Sequence, residues 1–499
     1  MIGSVLIANR GEIALRLVRG ARECGIHAIA VYSEADRLAP HVLEADEAYC
    51  IGPAPSSESY LRGEAIVALA KDVGAEAIHP GYGFLAERAD FARMVEDAGL
   101  VFVGPAPETI AAMGDKTEAR RRMKEAGVPI VPGLTEAVAD PEAAEEAAAD
   151  IGFPVLLKAS AGGGGKGMRV VSEPGELRRA FEAASREALA AFGDGSVYLE
   201  RYLARPRHVE IQVLGDAHGN VVHLAERECS IQRRHQKLVE EAPSPVLTDE
   251  ERARMGETAV RAAQAVDYRG AGTIEFLYQE GECFFLEMNT RIQVEHPVTE
   301  LVTGIDLVEW QFRVASGQPL DFGQDDIRLV GHSIECRITS EDHLGGFLPS
   351  TGAITHLGVP TGPGVRWDGG VLQGTEVTLH YDPLLAKLIV HAATREAAIA
   401  RMARALDELV VSGVETCAPF HRRVMDEADF RRGDISIRYL DEHPELLEEN
   451  EPESELIAAA VAAALLEDDH RRHRAPRIGT SRAEPVSAWR RAGMPGGAS

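Results

Sequence analysis

The chain has 499 residues, of which 45% are hydrophobic and 26% charged, and its formal net charge is −27. This length predicts two to four domains, and the apolar runs are too short to cross a bilayer, so we expect a soluble protein. The acidic excess argues against nucleic acid or an anionic membrane as a partner, because both would be repelled. The six cysteines are spread without a C-x-x-C pair, and MIGSVLIANRGE is no signal peptide, so a reducing cytoplasm is expected.

Residues 1–112 alternate short β-rich runs such as SVLIA and HAIAVYS with helical patterns such as EIALRLVRGARE. This alternation predicts a Rossmann-like βαβ domain with a parallel sheet. The first strand is followed by ANRGEIA instead of the G-x-G-x-x-G fingerprint of dinucleotide-binding folds. A dinucleotide-dependent oxidoreductase is therefore set aside.

Residues 113–330 turn to a mixed pattern with a glycine-rich loop between the strands PVLLKAS and MRVVS. A Walker A loop requires Ser or Thr after its Gly-Lys and then a helix, whereas Gly167 follows Lys166 and a strand resumes. The pattern favours a mobile flap whose backbone N–H groups fold over phosphates, with a purely structural hairpin as the alternative. The flap comprises Gly162, Gly163, Gly164, Gly165, Lys166 and Gly167.

The segment GTIEFLYQEGECFFLEMNTRIQVEHP predicts a hairpin that turns around Gly281 and places Glu275 opposite Glu287. Two carboxylates so placed repel each other unless a cation lies between them, and paired hard oxygens suit Mg²⁺ or Mn²⁺. If the chain stays extended beyond the hairpin, one face carries polar side chains throughout. These are Glu287, Asn289, Arg291, Gln293 and Glu295. A solvated strand face with incidental salt bridges is the alternative.

A further polar cluster joins HVEIQV, in which His208, Glu210 and Gln212 alternate with apolar residues, to the basic run QRRHQK. Four potential cations within six residues of an acidic protein suit an anion site, although a surface charge run is the alternative. Lys158 beside the glycine loop and Arg337 lie within apolar strands. Such residues need anionic partners.

Residues 331–446 predict a third, α+β unit with a helix at about 395–410, and residues 447–499 predict an alanine-rich helix followed by a disordered tail. A solvated terminus and docking onto another protein of a complex both remain open for this last segment.

Long motifs in the chain resemble those of biotin carboxylases. They are IANRGEIA, IGPAPSSESYL, HPGYGFLAE, KASAGGGGKGM, ECSIQRRHQKLVEEAPSP, LEMNTRIQVEHPVTE, CRITSEDHLGGFLPSTG and YDPLLAKLIV, in the order of that family and from residue 3 to about 445. The resemblance implies an ATP-grasp fold with α/β and α+β parts. It assigns residues 1–112 to a pre-ATP-grasp domain, 113–330 to the ATP-grasp domain with a lid at about 131–203, and 331–446 to a C-terminal domain.

The resemblance also implies roles for individual residues. ATP would be bound by Lys116, Lys158, the flap at Gly163, Gly164, Gly165, Lys166 and Gly167, Glu200, Arg201, Leu203, His208, Gln232 and His235. Lys237 would reach the terminal phosphate, and the metals would be held by Glu275, Glu287 and Asn289. Bicarbonate would be held by Arg291, Gln293 and the backbone of Val294, with Glu295 as general base. Biotin would be contacted by Arg337 and Tyr82.

The implied activity is carboxylation of biotin by bicarbonate and ATP through carboxyphosphate, giving ADP and phosphate. The chain lacks the Ala-Met-Lys-Met motif of biotin-bearing relatives after residue 446, so we expect biotin to arrive on a separate carrier protein. The expected assembly is a homodimer with carboxyltransferase subunits, in an acetyl-CoA carboxylase of fatty acid biosynthesis or another acyl-CoA carboxylase. The alternatives are another ATP-grasp ligase, such as a carbamoyl phosphate or peptide ligase, and an inactive scaffold.

Overall fold

The computed structural model describes residues 1–134, 137–138, 140–159, 168–192, 195–448 and 454–474. The chain divides into two compact units, Met1–Leu447 and Glu448–Ser499. Within the described residues no helix combines the length and the apolar character that a membrane span requires.

The first unit begins with a five-stranded parallel sheet in the order β3-β2-β1-β4-β5. Helices cover both faces of this sheet, so the strands are buried and the side chains form two apolar clusters, one on each side. The βαβ prediction is thereby confirmed. The elements are β1 Ser4–Ile7, α1 Gly11–Glu23, β2 His27–Ser33, α2 Pro40–Glu44, β3 Glu47–Gly52, α3 Gly63–Asp72, β4 Ala77–His79, α4 Ala89–Asp97, β5 Val101–Phe102 and α5 Pro107–Gly114.

A small three-stranded antiparallel sheet follows, in the order β7-β6-β8, with two helices packed on one face around their own apolar cluster. The elements are α6 Lys116–Glu125, α7 Pro141–Ile151, β6 Val155–Ala159, β7 Arg169–Val171, α8 Pro174–Phe192 and β8 Val197–Arg201. The predicted glycine flap, from Gly162 to Gly167, connects β6 to β7 and lies outside the described residues.

An eight-stranded antiparallel sheet forms the largest layer, in the order β13-β12-β9-β10-β11-β14-β21-β19. The first five strands of this sheet and the three helices of the same part of the chain are β9 Arg207–Gly215, β10 Val221–Arg233, β11 Gln236–Ala242, α9 Asp249–Gln264, β12 Gly270–Gln279, β13 Glu282–Asn289, α10 His296–Thr303 and α11 Leu307–Ala315. The strand β14 His332–Thr339 pairs directly with β11, so the sheet continues across residue 330. The division at residues 330 and 331 stays a prediction.

The remainder of the first unit completes that sheet and covers its outer face with helices α12 and α13. The helix predicted at about 395–410 is present as α12. The elements are β15 Glu341–Asp342, β16 Leu348–Pro349, β17 Gly352–Ala353, β18 His356–Gly358, β19 Val365–Gly369, β20 Glu376–Val377, β21 Leu384–Ala392, α12 Arg395–Glu408, β22 Val410–Ser412, α13 Ala418–Asp426, α14 Ala428–Arg432 and α15 Tyr439–Glu442.

The second unit contains the predicted alanine-rich helix as α16 Ser454–Arg474. Residues 475–499, where a disordered tail is expected, lie outside the described residues.

Candidate active site

A cleft of about 1150 Å³ lies between the small sheet and the large sheet. Most residues that the sequence analysis selected line it. They are Lys116, Lys158, Glu200, Arg201, Leu203, His208, Gln232, His235, Lys237, Glu275, Glu287, Asn289, Arg291, Gln293, Val294, Glu295 and Arg337. Residues more than 200 positions apart therefore converge on one cavity, as expected for a binding site.

The hairpin of β12 and β13 places Glu275 directly opposite Glu287, as predicted. The turn is formed by Glu280 and Gly281, both with positive φ, which suits a tight two-residue connection. Glu287 is exposed to the cleft and forms no ion pair or hydrogen bond within the described residues. Desolvation in the cleft and the negative charge of Glu275 both raise the pKa of Glu287. Lys116 and His208 oppose this effect without forming an ion pair with it, so Glu287 is an unpaired carboxyl group among the described residues.

The polar wall beyond the hairpin does not follow an extended chain. Strand β13 ends at Asn289, residues 290–295 form a turn, and α10 begins at His296, so the prediction of continued alternation is wrong. The side chains still converge, because hydrogen bonds fold the turn back onto the sheet. Gln293 Nε2 donates to Glu275 Oε1 at 2.9 Å, and Arg291 Nη2 donates to Asn289 Oδ1 at 3.0 Å.

Lys237 links three carboxylates from three parts of the chain. Its Nζ lies 2.5 Å from Glu210 Oε2, 3.0 Å from Glu275 Oε1 and 2.6 Å from Glu295 Oε1. Burial alone would lower the pKa of Lys237, but the three carboxylates outweigh it and raise that pKa well above its ordinary value. Lys237 is thus a fixed cation at neutral pH.

Glu295 lies between Lys237 and Arg337, whose Nη2 is 3.0 Å from Glu295 Oε2. Burial alone would raise the pKa of Glu295, but Lys237, Arg337 and Arg227 outweigh it and lower that pKa well below the ordinary range. The carboxylate is therefore ionised and accepts protons weakly while Lys237 and Arg337 hold it. Removal of either cation would make it a stronger base.

Arg337 has a second carboxylate partner, since its Nε donates to Glu240 Oε1 at 2.6 Å. Glu240 is completely buried, and burial together with the nearby charge of Glu295 raises its pKa to about 7 in spite of Arg337. Arg337 lies on β14, next to β11 in the large sheet, and lines that end of the cleft.

The opposite end of the cleft combines cations with an apolar surface. Lys158 and Arg120 both form ion pairs with the buried Glu200, which fixes these side chains across the small sheet. Arg201 stacks over Phe284 and pairs with Glu282. The apolar lining is supplied by Val131, Leu203, Leu277 and Leu286. Lys116 begins helix α6 at the rim.

The hairpin between β10 and β11 carries the basic run. Arg234 and His235 both have positive φ, at 49° and 66°, a backbone conformation that non-glycine residues rarely adopt. Together with Gln232 they line the cleft, whereas Arg233 turns away and packs over Phe347. The predicted anion site can therefore include Arg234, His235 and Lys237 but not Arg233.

Tyr82 is not among the residues that line the cleft. Its hydroxyl donates to Glu12, and burial together with that carboxylate raises the pKa of Tyr82 well above its ordinary value. Tyr82 thus belongs to the buried network behind Arg337.

Several residues of the site were not assigned a role from the sequence. Arg227 is fully buried and donates to Glu210 at 2.6 Å, to Gln212 at 2.6 Å and to Gln293 at 2.7 Å. Glu87 accepts from Arg291 Nε at 2.9 Å. The polar alternation His208, Glu210, Gln212 pointed to this network, but Arg227 lies in a strand without such alternation.

The residues present fit a divalent cation. Glu287 offers a free carboxylate toward Glu275, whose Oε2 lies 2.9 Å from His208 Nε2, and Asn289 stands at the end of the same strand. Burial alone would raise the pKa of Glu275, but Lys237 and His208 outweigh it and lower that pKa well below the ordinary range. Two carboxyl groups beside an amide oxygen are ligands that Mg²⁺ and Mn²⁺ accept.

Comparison with protein families gives three matches along the chain. Residues 1–110 match the biotin carboxylase N-terminal domain, residues 115–322 the ATP-binding domain of the carbamoyl-phosphate synthase L chain, and residues 335–442 the biotin carboxylase C-terminal domain. The fold is the ATP-grasp fold preceded by a βαβ domain and followed by an α+β region.

Two relatives with assigned names match over most of their length. Biotin carboxylase of Haemophilus influenzae is 54% identical over 442 residues, which is 88% of this chain and 98% of the relative. One of the subunits of pyruvate carboxylase from Methanothermobacter thermautotrophicus is 54% identical over 443 residues, 89% of this chain and 90% of the relative.

A solved structure shows the same architecture. It is the biotin carboxylase domain dimer of Hydrogenobacter thermophilus 2-oxoglutarate carboxylase, in complex with MgADP, ADP and bicarbonate. Its TM-score is 0.83 at 52% sequence identity, and the match covers 90% of this chain and all of the other. With the three family matches and the convergence of the predicted residues on one cleft, the chain belongs to the biotin carboxylase family.

Proposed function

We propose that the chain carboxylates the biotin of a separate carrier protein, using bicarbonate and ATP and releasing ADP and phosphate. The observation that carries the proposal is the position of Glu295. It is held between Lys237 on the nucleotide side and Arg337 on the opposite side, at 2.6 Å and 3.0 Å. One carboxylate thus contacts the groups assigned to phosphate and to biotin.

ATP occupies the part of the cleft between the two sheets. The adenine lies against Leu203 and the neighbouring apolar side chains, with Glu200 and Arg201 at its edge. Lys116, Lys158 and Lys237 neutralise the phosphates, and His208, Gln232 and His235 contact the nucleotide from the large sheet. The glycine-rich segment with Gly163 and Lys166 lies outside the described residues, and its contact with the phosphates stays a prediction.

Bicarbonate lies against the turn that follows β13. Arg291, Gln293 and the backbone of Val294 hold it, and Glu295 removes its hydroxyl proton. The freed oxygen attacks the terminal phosphorus, and ADP leaves with the electrons of the broken P–O bond. The product is carboxyphosphate, while Lys237 neutralises charge on the transferring group.

Glu295 becomes a stronger base when Lys237 leaves it to contact the bound nucleotide. As Lys237 turns toward the terminal phosphate, the carboxylate loses one of the cations that depress its pKa. Nucleotide binding and proton abstraction are thereby coupled. A divalent cation held by Glu275, Glu287 and Asn289 would supply additional charge neutralisation at the phosphates.

Carboxyphosphate then breaks down to CO₂ and phosphate, and the phosphate takes the N1 proton of biotin. Arg337 stabilises the negative charge that develops on the ureido oxygen, and N1 attacks CO₂. Among the described residues Arg337 donates through Nε to Glu240 and through Nη2 to Glu295, and its remaining N–H groups are available to the ureido oxygen.

The complete assembly comprises this chain as a homodimer, a biotin carboxyl carrier protein and carboxyltransferase subunits. The dimeric state of the Hydrogenobacter domain supports the first part. We propose an acyl-CoA, with acetyl-CoA first, as the final acceptor. A 2-oxo acid is the second candidate, because the Methanothermobacter and Hydrogenobacter relatives belong to pyruvate and 2-oxoglutarate carboxylases.

ADP formation tests the proposal. The purified chain is given MgATP and bicarbonate, with and without free biotin, and each substrate is omitted in turn. We expect turnover that rises with biotin and disappears without bicarbonate. ADP formation that requires bicarbonate but does not change with biotin would indicate another ligase. No ADP formation, even with a biotinylated carrier, would indicate a scaffold. Acceptor-dependent ADP formation by the native complex, with acetyl-CoA, propionyl-CoA, pyruvate and 2-oxoglutarate, separates the two acceptor classes.

A further inference from the structure

Glu335, on strand β14, is a buried carboxyl group without a hydrogen-bond partner. Its side chain is 0% exposed, and neither oxygen is hydrogen-bonded to any described residue. Buried polar groups are nearly always hydrogen-bonded, and an isolated ionised carboxylate in a low dielectric is very costly. The charge state of this group therefore requires an explanation.

The charged groups around Glu335 come from each element packed against it. Glu240 on β11 lies directly opposite in the strand register, and Arg337 is two residues further on the same face of β14. Lys387 on β21 is the cross-strand partner of Arg337, and Glu295 precedes helix α10. Tyr82 approaches from the first domain. The main charges that act on Glu335 are thus those of two cations, Arg337 and Lys387, and two carboxyl groups, Glu240 and Glu295.

Both cations are already engaged. Arg337 holds Glu240 at 2.6 Å and Glu295 at 3.0 Å. Lys387 holds Glu12 at 3.1 Å and donates to the Val294 carbonyl at 2.9 Å. An ionised Glu335 would therefore add a negative charge for which neither cation is free. This charge would have no hydrogen bond and would lie opposite the buried Glu240.

We propose that Glu335 is a positioning residue that retains its proton at neutral pH, so that the guanidinium of Arg337 is not drawn away from the ureido oxygen of biotin. The inference rests on the function proposed above. A neutral Glu335 adds no net charge beside the guanidinium. An ionised Glu335 would attract the guanidinium into the sheet and would offset the positive charge that biotin meets.

The electrostatics agree with this geometry. Burial raises the pKa of Glu335 well above the ordinary value, and Glu240 and Glu295 add to the effect against the opposing charges of Lys387 and Arg337. Lys387 also contacts the carbonyl of Val294, so the same cation network reaches the bicarbonate end of the site.

Infrared spectroscopy of the full chain tests the proton directly. At mildly alkaline pH we expect the carbonyl stretch of a protonated carboxyl group in the wild type and its loss in Glu335→Gln. The matched control is Glu241→Gln, which removes an equally buried carboxylate from the opposite face of the sheet and should leave the band unchanged. Absence of the band in the wild type, or its survival in Glu335→Gln, would overturn the proposal whatever the enzyme does.

The functional part is tested by the pH profile of kcat/KM for biotin. Where Glu335 ionises, the wild-type value should fall by about tenfold per pH unit, whereas Glu335→Gln should keep its activity to higher pH. An identical alkaline limb in both proteins would remove Glu335 from the positioning of Arg337. A wild type without any biotin-dependent turnover would instead refute the proposed function, and the infrared band would still report the proton.

Protein stability gives an independent reading. A carboxyl group whose pKa is raised on folding makes its full contribution to the free energy of unfolding at low pH. That contribution is lost as the pH rises from the pKa of the unfolded state through the pKa of the folded state. The melting temperature of the wild type should therefore fall relative to Glu335→Gln as pH increases from the ordinary glutamate range. A constant difference would contradict a retained proton.

Discussion

Glu240 and Glu241 are neighbours on strand β11, both completely buried, and they face opposite sides of the large sheet. Glu241 has two partners of its own, Arg395 Nε at 2.7 Å and His332 Nε2 at 2.7 Å. Burial alone would raise its pKa, but these partners outweigh it and lower that pKa to about 2. Glu240 shares Arg337 with Glu295, and its pKa is raised to about 7.

The difference separates a face that stabilises the fold from a face that prepares a reaction. On the outer face, charges are matched within the protein, under helix α12. On the cleft face the charges are not matched in this way, because Glu240 and Glu295 share Arg337, and Glu335 has no hydrogen-bond partner among the described residues. Such an imbalance is costly to the folded state and is typical of sites where cations move between the protein and a substrate.

The largest effect is expected from Glu295→Gln on the cleft face. An amide cannot take the proton of bicarbonate, so bicarbonate-dependent turnover should fall by about a thousandfold, while ATP binding measured by calorimetry stays close to wild type. Glu241→Gln makes the same change on the outer face and should keep its turnover per folded molecule. Equal losses of turnover in Glu295→Gln and Glu241→Gln would contradict the claim that only the cleft face takes part in the reaction.

Glu241→Gln should instead cost stability, by about 3 kcal/mol at neutral pH, from the lowering of a fully buried carboxyl pKa to about 2. A depressed pKa contributes stability above the unfolded value, and that contribution is lost as pH falls through the folded value. The wild-type advantage in urea unfolding should therefore shrink between about pH 4.5 and 2. An advantage independent of pH in this window would show that Glu241 is not held as an ion.

A smaller effect is expected from Glu287→Gln, which removes the free carboxylate opposite Glu275. The Mg²⁺ concentration for half-maximal activity should rise by about tenfold, because one charged oxygen ligand is lost. Glu280→Gln, in the exposed turn of the same hairpin and outside the cleft lining, is the control. An unaltered metal titration in Glu287→Gln would exclude Glu287 from the metal site.

Local patterns were sufficient to predict much of the fold and part of the site. Alternation and turn residues predicted the hairpin that pairs Glu275 with Glu287, because strand register follows from the position of the turn. The βαβ alternation likewise predicted the parallel sheet. The roles of Lys237, Glu295 and Arg337 followed only from the resemblance to a family, because the spacing of these residues carries no such information.

The contacts that set the charges of the site depend on distant pairing and were not predictable from local patterns. The bond between Lys237 and Glu295 joins β11 to the start of α10, and Glu240 meets Glu335 only because β11 pairs with β14. The turn after Asn289 also departs from an extended strand, since hydrogen bonds to Glu275 and Arg227 favour folding back. Tertiary contacts, rather than local propensity, decide these positions.

The most direct test of the proposed function is transfer of labelled carbon from bicarbonate to biotin. The purified chain is incubated with MgATP, labelled bicarbonate and a biotinylated carrier, and the label bound to the carrier is measured beside the ADP formed. We expect ATP-dependent label on biotin in equal amount to ADP in the wild type and almost none in Glu295→Gln. ADP formation without any label on biotin would contradict the assignment of the cleft to biotin carboxylation.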